Sequence, residues 1–331
     1  MSWFEKMTGC IEHSCDHVRQ QLFIDKGRLH SRVNGQSWLH GSLELPTLAE
    51  LRKRVRECEI DRKPNFVNEV VGNVQQLHQD TGNRNALFQV ASQFNLLEMV
   101  SPNVTPEDGI GIYEHDFTQG PACAIAAGAG TIFRNYFVDV AGHTGQCARH
   151  QLDCLAGVGR VLGNTNQQLW KMVNGYALPS ATGLSEINRR LGERNTIELD
   201  EVRQAVQIGV QWDTEVTLGT AAHPVTQAYC SAMPVAYTSL DFHLWEPFAR
   251  LILEAAYEAT LCAAILNQAR TDCDRLFLTL LGGGAFGNRL EWILAAIRRS
   301  LDAYPDYGLN IAIVSYRSSN PDVQQLVREF P

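Results

Sequence analysis

Leu276 to Asn288 reads LFLTLLGGGAFGN, and RLEWILAAIRRSL follows it. A short, almost purely apolar run to Leu281 suits a central parallel strand covered on both faces. Gly282, Gly283 and Gly284 can take backbone angles closed to other residues, so several N–H groups can converge on one negative charge. The spacing predicts a helix from about Asn288 or Arg289, whose unpaired first amides and dipole point at the same spot. Strand, glycine loop and helix together predict a cradle for a phosphate. The same residues would also serve a turn that needs glycine for tight packing alone. GxxxxGK[ST] cannot be read here, which counts against an ordinary nucleoside triphosphate site.

Working outward, 331 residues with 45% hydrophobic content can bury a substantial core in one large or two ordinary domains. A net charge of −8 argues against nonspecific binding to nucleic acid or an anionic membrane. A phosphate ligand would therefore be held by local dipoles. No 18-residue apolar run occurs, and the start lacks the basic-then-apolar order of a secretory signal, so the expected location is cytoplasmic. Nine dispersed cysteines without a CxxC pair indicate reduced thiols. His143, Cys147, His150 and Cys154 recur at helical spacing, but the first and last would lie roughly 16 Å apart on a helix, too far to share an ion. No metal and no cofactor is expected.

Residues 1–65 are polar and rich in helix formers, and read as an N-terminal helical extension. Its clearest helix, in LPTLAELRKRVRECEIDRKP, carries Thr47 and Glu50 as a capping box, with Pro64 as its stop. From residue 66 short apolar runs alternate with helices, the mark of an α/β layer architecture extending to 331. Strands are expected in NALFQVA (85–91), in VRQAVQIGVQWDTEVTL and VTQAYCSAMPVAYTSL, and in LNIAIVSY. Helices are expected at 119–137, at about 244–269 and from Pro321. Residues 142 to about 200 read as a mostly helical insertion.

The second informative block runs from Phe88 to Phe137. A strand ends at Ala91, Asn95 and Glu98 lie on its exit loop, an acidic segment carries Glu107, Asp108, Glu114 and Asp116, and Thr118-Gln119-Gly120-Pro121 opens a helix. Ligands of open α/β sheets bind where strands end and helices begin, so the two blocks read as two walls of one cleft.

At these residues the chain resembles the macrodomain superfamily. GPACAIAAGAGTIF is similar to the first ligand loop and helix of macrodomains, with their GGGVDGAIHRAAG pattern. FQVASQFN resembles the strand and asparagine of their NAAN signature. LLGGGAFGN resembles the phosphate-gripping loop, in the GCGVFGN form of bacterial poly(ADP-ribose) glycohydrolase-like proteins, and AIVSY resembles the last strand, whose aromatic flanks adenine. TQGPA beside an acidic loop resembles the branch containing MavL, an ADP-ribosyl hydrolase that acts on modified ubiquitin. Two departures stand out. Gln119-Gly120-Pro121 replaces the glycines of the first loop, and no GGG-x-QEE occurs, which argues against activity on polymer.

The resemblance implies a three-layer α/β/α macrodomain-like mixed sheet and a metal-independent ADP-ribosyl glycohydrolase. Its partners would be ADP-ribose or an ADP-ribosylated protein, such as ubiquitin, with neither nucleic acid nor membrane. Cleaving the glycosidic bond at the distal ribose needs an aimed water, stabilisation of an oxocarbenium-like state and proton donation, all within the reach of carboxylates. Asp116 is the first choice, near the helix-opening Gln119, then Glu114 and Asp108; each could instead be a loop acid or a cap. Asn95, Thr118, Gln119 and Gly120 on one loop, and Gly282, Gly283, Gly284, Ala285, Phe286, Gly287 and Asn288 on the other, would bind ADP-ribose. Tyr316 would flank adenine. Arg134 reads as a structural ion-pair partner, and Asp213 as a lesser candidate on the opposite wall. The competing class is a non-catalytic reader of ADP-ribose, disfavoured because a reader gains nothing from several carboxylates beside a diphosphate. A cysteine hydrolase built on Cys123 or Cys230 is weaker, since no base is placed by spacing.

Overall fold

The computed structural model describes residues 1–330. Its centre is a seven-stranded mixed sheet whose strands, in chain order, are β1 (Ser42–Glu44), β2 (Phe66–Val71), β3 (Leu87–Ala91), β4 (Gly209–Glu215), β5 (Pro224–Cys230), β6 (Arg275–Leu278) and β7 (Asn310–Ser315). Their spatial order is β1-β4-β5-β3-β6-β7-β2. From β5 to β2 the neighbours run parallel, while β4 is antiparallel to both β5 and β1. The expected apolar runs lie in the middle of this sheet: Leu87, Phe88, Leu276 and Ile311 are buried, as covering of both faces demands.

Successive residues of a strand point to opposite faces, and their contacts fix the helical layers. Phe88 stacks on His78 of the helix Val74–Gln79, with ring centroids 3.7 Å apart. The next residue, Gln89, donates from Nε2 to Thr260 Oγ1 at 3.0 Å on the helix Phe242–Thr271. That 30-residue helix is capped by Asp241, whose Oδ1 accepts from His243 N, and it packs beside Leu290–Ala303 and Leu48–Glu57. On the other face lie Val74–Gln79, Gln119–Ala126 and Gly128–Tyr136. The architecture is three-layered α/β/α, as expected.

Four readings of the sequence are corrected. Residues 1–65 are not simply helical: Leu22–Asp25, Arg28–Ser31 and Ser37–Leu39 form a small antiparallel sheet, and β1 is an edge strand of the main sheet. The Thr47–Glu50 capping box is present, but its helix ends at Glu57, well before Pro64. Residues 119–137 form two helices, because Ala127, at φ −119° and ψ 59°, interrupts the helical backbone. Residues 142–200 contain a β-hairpin, Trp170–Val173 with Tyr176–Pro179, beside the helices Ala156–Leu162, Ala181–Gly192 and Thr196–Gln204. No helix among the described residues is long and apolar enough to cross a membrane.

Candidate active site

A cleft of about 820 Å³ opens where β3, β6 and β7 end, and both loops singled out in the sequence line it. This size suits a ligand of several linked rings and phosphates. The helix Gln119–Ala126 reaches the cleft because residue 120 is glycine. A Cβ there would stand 2.0 Å from Ala91 O, so no other residue lets the helix start lie this close to the strand end. Gln119 completes the joint: its Oε1 accepts from Ala91 N at 2.9 Å and its Nε2 donates to Gln89 O at 2.8 Å. The side chain is thereby spent on the sheet. Thr118, the N-cap, makes no capping side-chain bond. Pro121 has no N–H, and the amides of Gln119 and Gly120 have no acceptor among the described residues.

The second loop is built the same way. Gly282 sits at φ 74°, and a Cβ there would meet Ala232 Cβ at 2.5 Å. Asn288 N donates to Gly282 O at 2.9 Å and Asn288 Nδ2 to Met233 O at 2.8 Å, closing the loop on itself. Gly284, Ala285 and Phe286 line the cleft, and their amides have no acceptor among the described residues. No Lys, Arg or His lines the cleft. Any anion bound there meets backbone dipoles, not a cationic side chain.

The two ends of the cleft differ. Tyr316, directly after β7, is 59% exposed at one wall. Phe286 packs against Tyr176 of the 142–200 hairpin and Tyr237, with centroids 5.4 and 5.5 Å away. The acidic loop supplies Glu114 and Asp116, with Phe117 between loop and solvent at 88% exposure. Asp116 Oδ1 accepts from Thr118 N at 2.9 Å, and Oδ2 has no partner among the described residues. Glu114 Oε2 accepts from Trp3 N at 2.9 Å. Trp3 itself lines the cleft, and its Nε1 donates to Ile110 O at 2.9 Å. Glu12 accepts from Ile110 N and Gly111 N at 2.9 and 2.7 Å and from the Tyr136 hydroxyl. Burial pushes the Glu12 carboxyl up despite these bonds. The first thirteen residues thus hold the acidic loop in place.

Of the residues singled out in the sequence, Glu114, Asp116, Thr118, Gln119, Gly120, Gly282, Gly284, Ala285, Phe286 and Tyr316 line the cleft. Five do not. Asn95 is fully buried, its Nδ2 donating to Gln151 Oε1 at 2.8 Å and its Oδ1 accepting from Leu97 N. Asp108 caps the short turn at 106–108 through Thr105 N and Oγ1. Gly283 N donates to Leu280 O and Gly287 N to Gly284 O, both inside the turn, while the Asn288 side chain ties down the loop. Asp213, at a bulge of β4, pairs with Arg270 at 2.6 Å and does not line the cleft.

The thiols of Cys123 and Cys230 are buried, which pushes both up, that of Cys230 to about 11, and leaves them poor nucleophiles. His143 and His150 stack at 4.6 Å, and among the described residues no group of three potential ligands is arranged to hold a metal ion.

One cleft residue is, by its local sequence, only an acid on the exit loop of β3. Glu98 is buried yet lines the cleft, and neither carboxyl oxygen has a hydrogen-bond partner. Desolvation pushes it up to about 8, against the pull of Arg134, whose Nη2 lies 3.8 Å away. Arg134 keeps the structural role expected of it: it is buried, donates to Leu96 O and Thr131 Oγ1, and covers the Tyr229 ring at 3.6 Å.

No family model and no curated protein matches the sequence. Among solved structures, the chain is similar to poly(ADP-ribose) glycohydrolase from Deinococcus radiodurans in complex with ADP-ribose. That likeness has 12% identity, 87% of this chain and 93% of that chain covered, and a TM-score of 0.46. It is also similar to poly(ADP-ribose) glycohydrolase from Thermomonospora curvata, at 11% identity, 96% of each chain and a TM-score of 0.47. The form of that enzyme bound to the inhibitor ADP-HPD gives 12%, 96% of each chain and 0.44. These TM-scores lie below 0.5, and the chemistry rests on this chain's own cleft.

Proposed function

We propose that the chain is an ADP-ribosyl glycohydrolase, which releases ADP-ribose from modified protein side chains by hydrolysing the glycosidic bond at the distal ribose. The observation that carries the reading is the cleft itself: two sets of unpartnered backbone amides, no cationic side chain, and carboxylates gathered on one loop. Amides at a helix start and in a glycine turn suit a diphosphate. Tyr316 suits an adenine face. Carboxylates beside a diphosphate would repel it, so their use is on the sugar, where positive charge develops as the bond breaks.

Asp116 is held by the Thr118 amide through one oxygen and can aim a water with the other. Glu114, fixed by Trp3 N, adds negative potential beside the ring carbon. Ubiquitin is the carrier that the TQGPA loop and its acidic neighbour suggest. The test is to incubate the protein with substrates mono-ADP-ribosylated through Arg, Glu or Ser, ADP-ribosylated ubiquitin among them, and measure free ADP-ribose. Release from at least one linkage is expected. Binding of ADP-ribose with no release from any of them would make the protein a reader.

A further inference from the structure

Glu98 takes no part in the steps above, and its surroundings are costly for a carboxyl that does nothing. Its side chain is 1% exposed, and both oxygens lack hydrogen-bond partners. A buried, unpaired polar group destabilises a fold unless something else meets it.

Four titratable or charged groups face it. Arg134, from the helix Gly128–Tyr136, approaches to 3.8 Å, beyond hydrogen-bond range; its Nε and Nη2 donate elsewhere, while its buried Nη1 has no hydrogen-bond partner. The Tyr113 hydroxyl, from the acidic segment, accepts from Glu98 N at 3.0 Å. Tyr229 of β5 lies beneath Arg134, and Cys123, buried in the helix Gln119–Ala126, is the fourth. By hydrogen-bond geometry none of them bonds the carboxyl, although Arg134 and the Tyr113 side chain both act to lower its proton affinity. Glu98 nevertheless lines the cleft, and a Cβ at position 120 would stand 3.2 Å from its Cγ, so the side chain lies against the helix start at Gly120, which lines the same space.

We propose that Glu98 is the general acid of the hydrolysis, giving its carboxyl proton to the leaving side chain as the bond to the distal ribose breaks. The inference rests on the hydrolase reading of the cleft. The glycosidic electron pair goes to the side-chain oxygen or nitrogen, which takes the Glu98 proton and departs neutral. The water oxygen bonds the anomeric carbon and gives a proton to Asp116. Glu98 is then recharged, and the Asp116 proton returns to solvent. Burial suits the role, because it keeps the carboxyl protonated at neutral pH. Asp116, more open and bonded to an amide, stays available as the base.

The test compares wild type, Glu98→Gln and Asp116→Asn on two substrates: the protein-linked ADP-ribose that wild type cleaves, and a nitrophenyl ADP-ribose, whose leaving group needs no proton. For Glu98→Gln, kcat should fall roughly 10²-fold or more on the first substrate, the range for loss of a positioned acid, and stay within several-fold on the second. Asp116→Asn should lose activity on both. Infrared spectroscopy at pH 7 should show a protonated-carboxyl band in wild type that Glu98→Gln lacks, with both proteins folded. Wild-type rates for Glu98→Gln on the protein-linked substrate, an equal loss on both substrates, or the absence of the band would each overturn the assignment. A wild type that releases nothing from either substrate overturns the hydrolase reading and this inference with it.

Discussion

Asp116 and Glu114 stand two residues apart but are held differently, and their variants should part accordingly. Asp116→Asn keeps the shape and a weak acceptor for the Thr118 amide while removing the charge. ADP-ribose affinity should stay within several-fold while kcat drops roughly 10²-fold or more, measured by calorimetry and ADP-ribose release. Glu114→Gln should show a smaller kcat loss, since Trp3 N can still be satisfied by the amide oxygen. Full activity of Asp116→Asn would assign the base elsewhere. At the far wall, Tyr316 is anchored to solvent as much as to protein, so Tyr316→Ala should fold normally. Its loss of one stacking face should weaken ADP-ribose binding about tenfold, near 1.4 kcal/mol, with kcat little changed. Unchanged affinity would move adenine away from β7.

At the scale of elements, the joint between β3 and the helix Gln119–Ala126 makes the cleft. Gly120→Ala would drive a methyl into Ala91 O and push the helix start off the strand. A cost of about 1–3 kcal/mol is expected, together with loss of ADP-ribose binding, because the free amides move with the helix. Denaturant melts and calorimetry on one preparation check both. A Gly120→Ala protein that binds as wild type would place the diphosphate on the other loop. The second joint is Glu12, whose carboxylate spans two amides of the acidic segment and the Tyr136 hydroxyl. Glu12→Ala should speed amide exchange at Ile110 and Gly111 and lower hydrolysis more than affinity. Hydrogen-exchange mass spectrometry over 105–118 reads the first effect, and unchanged protection there would show that the loop is held by Trp3 alone.

For the whole molecule, two buried histidines set the acid limit. Burial pushes both His40, stacked on Phe133 at 4.3 Å, and His78, under Phe88, down to about 4. A histidine depressed from 6.5 keeps its full contribution above that pH and loses it as pH falls through 4. Each loss is worth about 3 kcal/mol at most. Glu98 has the opposite sign, since a raised carboxyl contributes below pH 4.5 and is lost as pH rises through about 8. Urea unfolding should therefore show stability falling between pH 6.5 and 4, and His40→Phe, which keeps the stack, should flatten that limb. An unchanged limb would assign the acid lability to His78 and the carboxylates.

The sequence by itself determined the layers and the two loops. Strand periodicity, helix openings and glycine runs are local signals, and LFLTLLGGGAFGN and TQGPA carry them within a dozen residues. It also marked the capping box at Thr47 and Glu50, because both partners lie within one turn. What the tertiary structure decided is which polar groups remain free. Asn95, Asp108 and Asn288 have the right residue types at the right loops, but Gln151, Thr105 and Met233 consume them, and Trp3 reaches Glu114 from 111 residues away. Glu98 is the converse, an exit-loop acid that long-range packing buries beside Arg134 without a hydrogen bond to its carboxyl. A carboxyl's proton affinity is set by desolvation and neighbouring charge, and both depend on segments far apart in the chain, which no local pattern records.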